Sequence, residues 1–231
     1  MAIKHVLLDL DDTVFDFKKA EHYSISETMK HFLIEPTDEN VLLYSSVNKS
    51  CWEALERGEM SREEILVKRF EIFLSHLGAA ADAAVMKIFY EATLSGCHFL
   101  VDGALELIDA LSGKYTVSIA SNGTARVQDK RIALSGLAPR FDNIFISEKL
   151  GANKPSAAFF DKCFEALGCP DPCQVVIVGD SISSDIKGGI NYGIHTIRFN
   201  PQGANDMSDI IPEYEVSELS EIPEIIEKIE N

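Results

Sequence analysis

Basic residues are scarce in this chain of 231 residues: 21 Lys and Arg stand against 37 Asp and Glu, for a formal net charge of −16. A field of that sign repels duplex nucleic acid and anionic membrane, which need clustered Lys and Arg. Neither a nucleic acid polymer nor a membrane is therefore an expected partner. Long apolar runs are missing too. None approaches the ~18 residues of a bilayer span, and the first residues carry no secretory signal pattern, which predicts a cytoplasmic protein. Cysteine is sparse and irregular: Cys51, Cys97, Cys163, Cys169 and Cys173 form an odd set with no C-x-x-C pair. That spacing supplies neither a disulfide framework nor a metal knuckle, and Cys169 and Cys173 bracket Pro170 and Pro172 in what reads as a loop. The chain is otherwise ordinary in composition and long enough to bury a sizeable core. A small anionic substrate stays open, because one placed lysine and a bound metal can dominate locally.

What is present is concentrated near the start. The apolar run Val6-Leu7-Leu8 leads straight into Asp9-Leu10-Asp11-Asp12-Thr13. Such a run reads as a buried strand, and the acids begin where it stops. In an extended chain Asp9 and Asp11 project to the same side, so two carboxylates converge. A pair of that kind repels itself unless a positive charge sits between, and a divalent cation is the usual answer. A solvated acidic turn is the plainer alternative.

After Thr13 the rhythm is helical from about Lys18 to Leu94. Ser61-Arg62-Glu63-Glu64 is a capping box, followed by Leu66, Phe70, Phe73 and Leu77 at helical spacing and a stop at Gly78. Further helices are expected around 20–32, 39–55 and 81–94. From Val101 strands and helices alternate. Helices are read at 102–111, with Asp102 as cap, and at 156–167, 184–192 and 222–229. Strands are read at 115–120, 143–146, 174–178, 195–199 and 214–216. This alternation predicts an α/β fold with a parallel sheet covered on both faces. The expected architecture is a Rossmann-like core from 1–16 and 99–231, with an α-helical cap domain inserted at 17–98 and hinged near 16 and 99. An insertion there would act as a lid over the reactive end of the sheet.

Four features share one address, the carboxyl end of a strand or the loop near it. They are Asp9/Asp11, Ser121-Asn122-Gly123, Lys154 in Gly151-Ala152-Asn153-Lys154-Pro155, and Gly179-Asp180-Ser181-Ile182-Ser183-Ser184-Asp185. In this order and over essentially the whole chain they resemble the haloacid dehalogenase-like hydrolase superfamily, mostly magnesium-dependent phosphatases. The resemblance implies Asp9 as nucleophile through an aspartyl-phosphate, and Asp11 as the acid that protonates the leaving oxygen and later activates water. It implies Mg²⁺ held by Asp9, Asp180 and the backbone carbonyl of Asp11. Ser121 and Asn122-Gly123 would bind phosphate at a helix start, and Lys154 would neutralise transferred charge. Thr13 would steady the loop, and Asp185 would stand behind the metal as a partner of Lys154. Haloacid dehalogenases expel a halide, which needs no proton, and lack an acid where Asp11 stands, so phosphate ester hydrolysis is the expected chemistry.

The stretch Val47-Asn48-Lys49-Ser50-Cys51-Trp52, with Gly58 and Arg69-Phe70, is similar to the cap of bacterial pyrimidine 5′-nucleotidases. That resemblance implies a nucleoside monophosphate as substrate, with Asn48, Lys49, Trp52 and Arg69 near it and Phe15 and Phe17 offering aromatic surface for a base. Plain packing is the alternative for the rings, and solvated helix positions for Asn48, Lys49 and Arg69. A sugar phosphate is the alternative substrate. A response-regulator receiver also uses strand-end acids and a lysine, but its phosphorylated aspartate lies on a later strand of one compact domain. A silent binding protein on the same scaffold would not be expected to keep every catalytic position.

Overall fold

The computed structural model describes residues 2–204 and 208–230. The chain divides into two compact units: one comprises the described residues through Asp16 and from Leu100 on, the other is Phe17–Phe99.

Strand β1 (His5–Leu8) opens the first unit, and the chain then leaves it for four helices: α1 (Phe17–His31), α2 (Asp38–Glu56), α3 (Arg62–Leu77) and α4 (Ala83–Leu94). It returns with α5 (Ala104–Leu111), β2 (Thr116–Ser121), α6 (Ala125–Ser135) and β3 (Asn143–Ile146). There follow α7 (Ser147–Leu150), α8 (Ala157–Ala166), β4 (Val175–Gly179), α9 (Lys187–Tyr192), β5 (His195–Phe199), β6 (Tyr214–Val216) and α10 (Ile222–Glu230). A π-type turn, Ile182–Ile186, precedes α9. Gly103, in a left-handed conformation, rather than Asp102, caps α5.

All six strands pair parallel, in the order β3-β2-β1-β4-β5-β6. The sequence explains the parallel sheet: Val6, Leu7, Leu8 and the whole run from Val175 to Val178 are buried, as strands covered on both faces must be. Side chains alternate. Val6, Leu8, Val117, Ile119, Val176 and Val178 pack with Leu107, Ile108 and Ile226 on one face. Leu7 and Ile177 pack with Phe159, Phe160 and Cys163 of α8 on the other. The strand order reverses at β1, whose neighbours are β2 and β4. Leu8 stands opposite both Ile119 and Val178, so the ends of all three strands lie side by side. That reversal is where open α/β sheets bind ligands.

The second unit is a helix bundle with explicit ends. Thr37 and Asp82 cap α2 and α4, and the Ser61–Glu64 capping box starts α3. Val47, Cys51, Leu55, Ile65 and Leu66 join α2 to α3, and Tyr44, Phe70, Phe73 and Tyr90 form a ring cluster. Inside this bundle runs a polar chain. Glu21 accepts from Ser45 Oγ at 2.5 Å and from Asn48 Nδ2 at 2.6 Å, and Arg69 Nη1 donates to Asn48 Oδ1 at 2.8 Å. Arg69 also faces Glu91 at 3.8 Å and lies over the Phe70 and Tyr90 rings. No helix among the described residues is long and apolar enough to cross a membrane.

Arg69 is a buried cation within this polar network, and removing it takes the guanidinium away from Asn48 Oδ1 and from Glu91. We expect Arg69→Met to lower unfolding stability by about 3–5 kcal/mol in urea titrations. A change confined to KM, with the unfolding midpoint intact, would give Arg69 a substrate-facing role instead.

Candidate active site

Asp9 follows β1 directly, its amide donating to Val178 O at 2.8 Å as if the strand continued. The chain then turns sharply. Asp12 adopts a left-handed backbone (φ 59°), and Val14 and Phe15 both donate to Leu10 O at 3.0 and 2.7 Å. Asp and Asn tolerate that conformation better than other residues with a side chain. Leu10 is fully buried and anchors the turn. Thr13 is also buried, and its hydroxyl has no hydrogen-bond partner among the described residues.

The two aspartates of the motif take different partners. Asp9 Oδ1 accepts from Lys154 Nζ at 2.6 Å. Asp11 turns to α6, where Arg131 Nη1 binds Oδ1 and Gln128 Nε2 binds Oδ2 at 2.5 Å. Asp11 is still close enough for its charge to raise the Asp9 pKa. Each carboxylate thus has its own cation, rather than both sharing one.

At the end of β2, Ser121 Oγ accepts from the Gly123 amide and from Gln128 Nε2, each at 3.1 Å. Two donors on one hydroxyl oxygen leave its proton free to donate elsewhere. Gly123 is required by close approach: a Cβ there would lie 2.1 Å from Gln128 Nε2. Asn122 clasps the Lys154 backbone from both sides, Nδ2 donating to Lys154 O and Oδ1 accepting from Lys154 N, each at 2.9 Å.

That clasp delivers the Lys154 ammonium to the strand ends, where it is 1% exposed. It donates to Asp9 Oδ1 and Asp185 Oδ1, both at 2.6 Å, and to Ala120 O. Burial alone would lower its pKa, but Asp185 and Asp9 more than reverse this and hold it charged. Asp185 is fully buried in the π-type turn after β4 and also accepts from the Ser181 amide at 3.1 Å. Gly179 makes room for it, since a Cβ would fall 2.3 Å from Asp185 Oδ2.

Carboxylate oxygens of Asp9, Asp180 and Asp185 lie within 4.8 Å of one another. Asp9 and Asp185 are buried around the Lys154 ammonium, with the half-buried Asp180 beside them. Burial accordingly pushes the Asp9 carboxyl up, to about 8, with Asp185 and Asp11 adding to the rise and Lys154 opposing it. Oxygen-only donors with excess negative charge are what a hard divalent cation takes. The residues present fit Mg²⁺, and such a cation would restore the ionised Asp9 that a nucleophile needs.

Of the residues expected to meet a nucleoside, Phe15 belongs to the first unit and the others to the second. Phe15 is fully buried in the first unit's core, with the Arg131 guanidinium 4.9 Å above its ring. Phe17, the first residue of α1, is half-buried, as is Trp52, which faces Arg62 at 5.6 Å. Asn48 and Arg69 are buried in the polar chain of the helix bundle, and Lys49 is exposed, 3.9 Å from Glu53. Sequence reasoning did not single out Gln128 and Arg131. Two polar residues three apart on a helix read as a solvated face, and only their burial reveals them. The available signal was Val127 and Ile132 beside them, which mark that side of α6 as inward.

If this cluster takes a cation, saturating Mg²⁺ should stabilise the protein by about 2–3 kcal/mol, as a ligand at roughly a hundred times its Kd does. Calorimetry with Mg²⁺ and with chelator measures it. Asp180→Asn should lose most of the shift, and the absence of any shift in the parent protein would remove the metal assignment.

Comparison with known proteins places the chain in a family. The family profile of haloacid dehalogenase-like hydrolases matches residues 3–193. The chain is similar to the HAD-hydrolase YfnB of Bacillus subtilis, 36% identical over 98% of this chain and 96% of that one. A crystal structure of YfnB bound to magnesium matches with a TM-score of 0.92 at 35% identity, over 98% of this chain and 99% of that one. The chain is also similar to the pyrimidine 5′-nucleotidase PynA of Streptococcus pneumoniae, 32% identical over 99% of this chain and 97% of that one. Its identity with the pyrimidine 5′-nucleotidase YjjG of Escherichia coli is 30%, over 96% of each. With the parallel sheet and the four strand-end motifs in place, the chain belongs to the haloacid dehalogenase-like hydrolase family.

Proposed function

We propose that this hydrolase, a phosphoric monoester hydrolase by its family and relatives, is a Mg²⁺-dependent nucleoside monophosphate 5′-nucleotidase that prefers pyrimidines. The observation that carries the phosphatase chemistry is the separate engagement of the two aspartates. Lys154 takes Asp9 Oδ1, so Oδ2 is the oxygen we assign as nucleophile, attacking phosphorus in line with the leaving group. Asp11, carrying the proton it takes from water in the preceding cycle, gives that proton to the departing 5′-oxygen, an alkoxide too basic to leave unaided. The nucleoside departs and the phosphoryl group stays on Asp9. Asp11, now ionised, takes a proton from water, whose oxygen attacks phosphorus and releases inorganic phosphate with Asp9 restored.

Around the transferred group the chain supplies donors. The Ser121 hydroxyl keeps its proton to donate and the Lys154 ammonium opposes the phosphoryl charge, whereas the Gly123 amide is taken by Ser121 Oγ and the Ala125 amide by Glu148. Asn122 contributes by clasping Lys154, and Asp185 by fixing its ammonium. Thr13, wholly buried, fills the turn that follows the nucleophile in the first unit. Asp9, Asp180 and the Asp11 carbonyl would hold Mg²⁺, with Asp185 at the same cluster. When bound, the cation offsets the repulsion between phosphate and carboxylate.

The nucleotide reading is supported by PynA and YjjG, which match over nearly their whole lengths. Among the selectivity candidates, Phe17, Lys49 and Trp52 keep accessible surface, and we assign base contacts to these first. Release of inorganic phosphate from nucleoside monophosphates and sugar phosphates, with Mg²⁺ and with chelator, tests the proposal. We expect metal-dependent turnover that favours pyrimidine monophosphates and falls at least about a thousandfold in Asp9→Asn. A preference for sugar phosphates would discard the nucleotide assignment alone. Full activity in Asp9→Asn would discard the nucleophile.

A further inference from the structure

We infer that Arg131 and Gln128 are positioning residues for the acid–base step, holding Asp11 as one rigid unit with the phosphate-binding hydroxyl of Ser121. The inference rests on the assignment of Asp11 as proton donor. Arg131 is wholly buried and Gln128 is 1% exposed. One turn apart on α6, they bond to each other: Arg131 Nη1 donates to Gln128 Oε1 at 2.9 Å. That bond decides which way the Gln128 amide faces, so its nitrogen points at Asp11 Oδ2 (2.5 Å) and Ser121 Oγ (3.1 Å). The same Arg131 nitrogen binds Asp11 Oδ1. Both Asp11 oxygens are therefore fixed from one helix, and the guanidinium is fixed by its seat over the buried Phe15 ring at 4.9 Å. The opening of α6 is shaped for the arrangement, since any side chain at Gly123 would displace Gln128.

Few other uses fit this geometry. A buried arginine is a costly way to stabilise a fold, because desolvation offsets the attraction. It is an effective way to fix a carboxylate that must meet a leaving oxygen with small error, and misplacement by about 1 Å can cost a hundredfold in rate. Gln128 adds a bridge from the acid to the hydroxyl that holds the transferring phosphoryl group. The proton donor and the phosphoryl cradle are thereby set at one spacing.

Leaving-group dependence is the readout a merely structural role would not move. A p-nitrophenolate departs without a proton, whereas the 5′-alkoxide of uridine monophosphate needs one, and kcat/KM reports events only through the phosphoryl-transfer step. The ratio of kcat/KM for uridine monophosphate to that for p-nitrophenyl phosphate is measured in the parent enzyme, Arg131→Met, Gln128→Leu and Asp11→Asn, all with Mg²⁺. We expect the ratio to fall by about tenfold or more in the Arg131 and Gln128 variants and further in Asp11→Asn, with Arg131→Lys recovering part of the loss. Gln128→Leu changes no charge and stands in should Arg131→Met fail to fold. An unchanged or raised ratio in these variants, alongside a lowered ratio in Asp11→Asn, overturns the positioning role alone. An unchanged ratio in Asp11→Asn overturns the acid assignment beneath it.

Discussion

A single ammonium group, that of Lys154, holds the site together. It sits where three parallel strands end, almost wholly out of water, and binds Asp9 from the first strand, Asp185 from beyond the fourth and a carbonyl from the second. Desolvating it is expensive, and desolvating either carboxylate without it would be more so. Much of the surrounding structure reads as a consequence. Asn122 grips the lysine's backbone so that the side chain arrives at the strand ends. Gly179 has no Cβ because Asp185 fills that space. The π-type turn after β4 buries Asp185, while Asp180 at the end of that strand stays half-buried.

Two buried carboxylates, Asp9 and Asp185, share the Lys154 ammonium with the half-buried Asp180 beside them, and that crowding of acids links fold to chemistry. The buried Asp9 carboxyl is driven upward by burial and by its acidic neighbours, which is the wrong direction for a nucleophile. A hard cation in the Asp9, Asp180 and Asp185 cluster would reverse the direction. Asp11 is kept out of this cluster by a second ion pair with its own buried cation, Arg131. Two carboxylates only two residues apart thereby face different environments, the condition under which neighbouring acids take different roles.

The helix bundle follows another logic. Its buried polar chain from Glu21 of α1 through Asn48 of α2 to Arg69 of α3 joins three of its helices by side-chain hydrogen bonds. Asn48 and Arg69 attract attention in the sequence through the likeness of their stretches to a nucleotidase cap, and both are buried in this network. Charge on a helix is ambiguous in sequence, because a solvated residue, a substrate contact and a buried network member look alike until burial is known.

The sequence by itself determined which elements form and where chemistry gathers. Runs such as Val6-Leu7-Leu8 and Val175–Val178 carry strand periodicity and burial in their own composition. Ser61–Glu64 and Gly78 mark helix ends by local hydrogen bonding and backbone freedom, effects that act within a few residues. The strand-end positions of Asp9, Ser121 and Asp180 follow from those runs. The caps were less secure: Asp102 has the chemistry of an N-cap, but the left-handed Gly103 takes the place. Tertiary structure alone decided the partners. That Asp9 meets Lys154, 145 residues away, and Asp11 meets Arg131, 120 residues away, depends on strand order and on which side of α6 faces inward. Gln128 and Arg131 became visible only there, because a pairing across the sheet is a property of the packed chain, and local propensity carries no record of it.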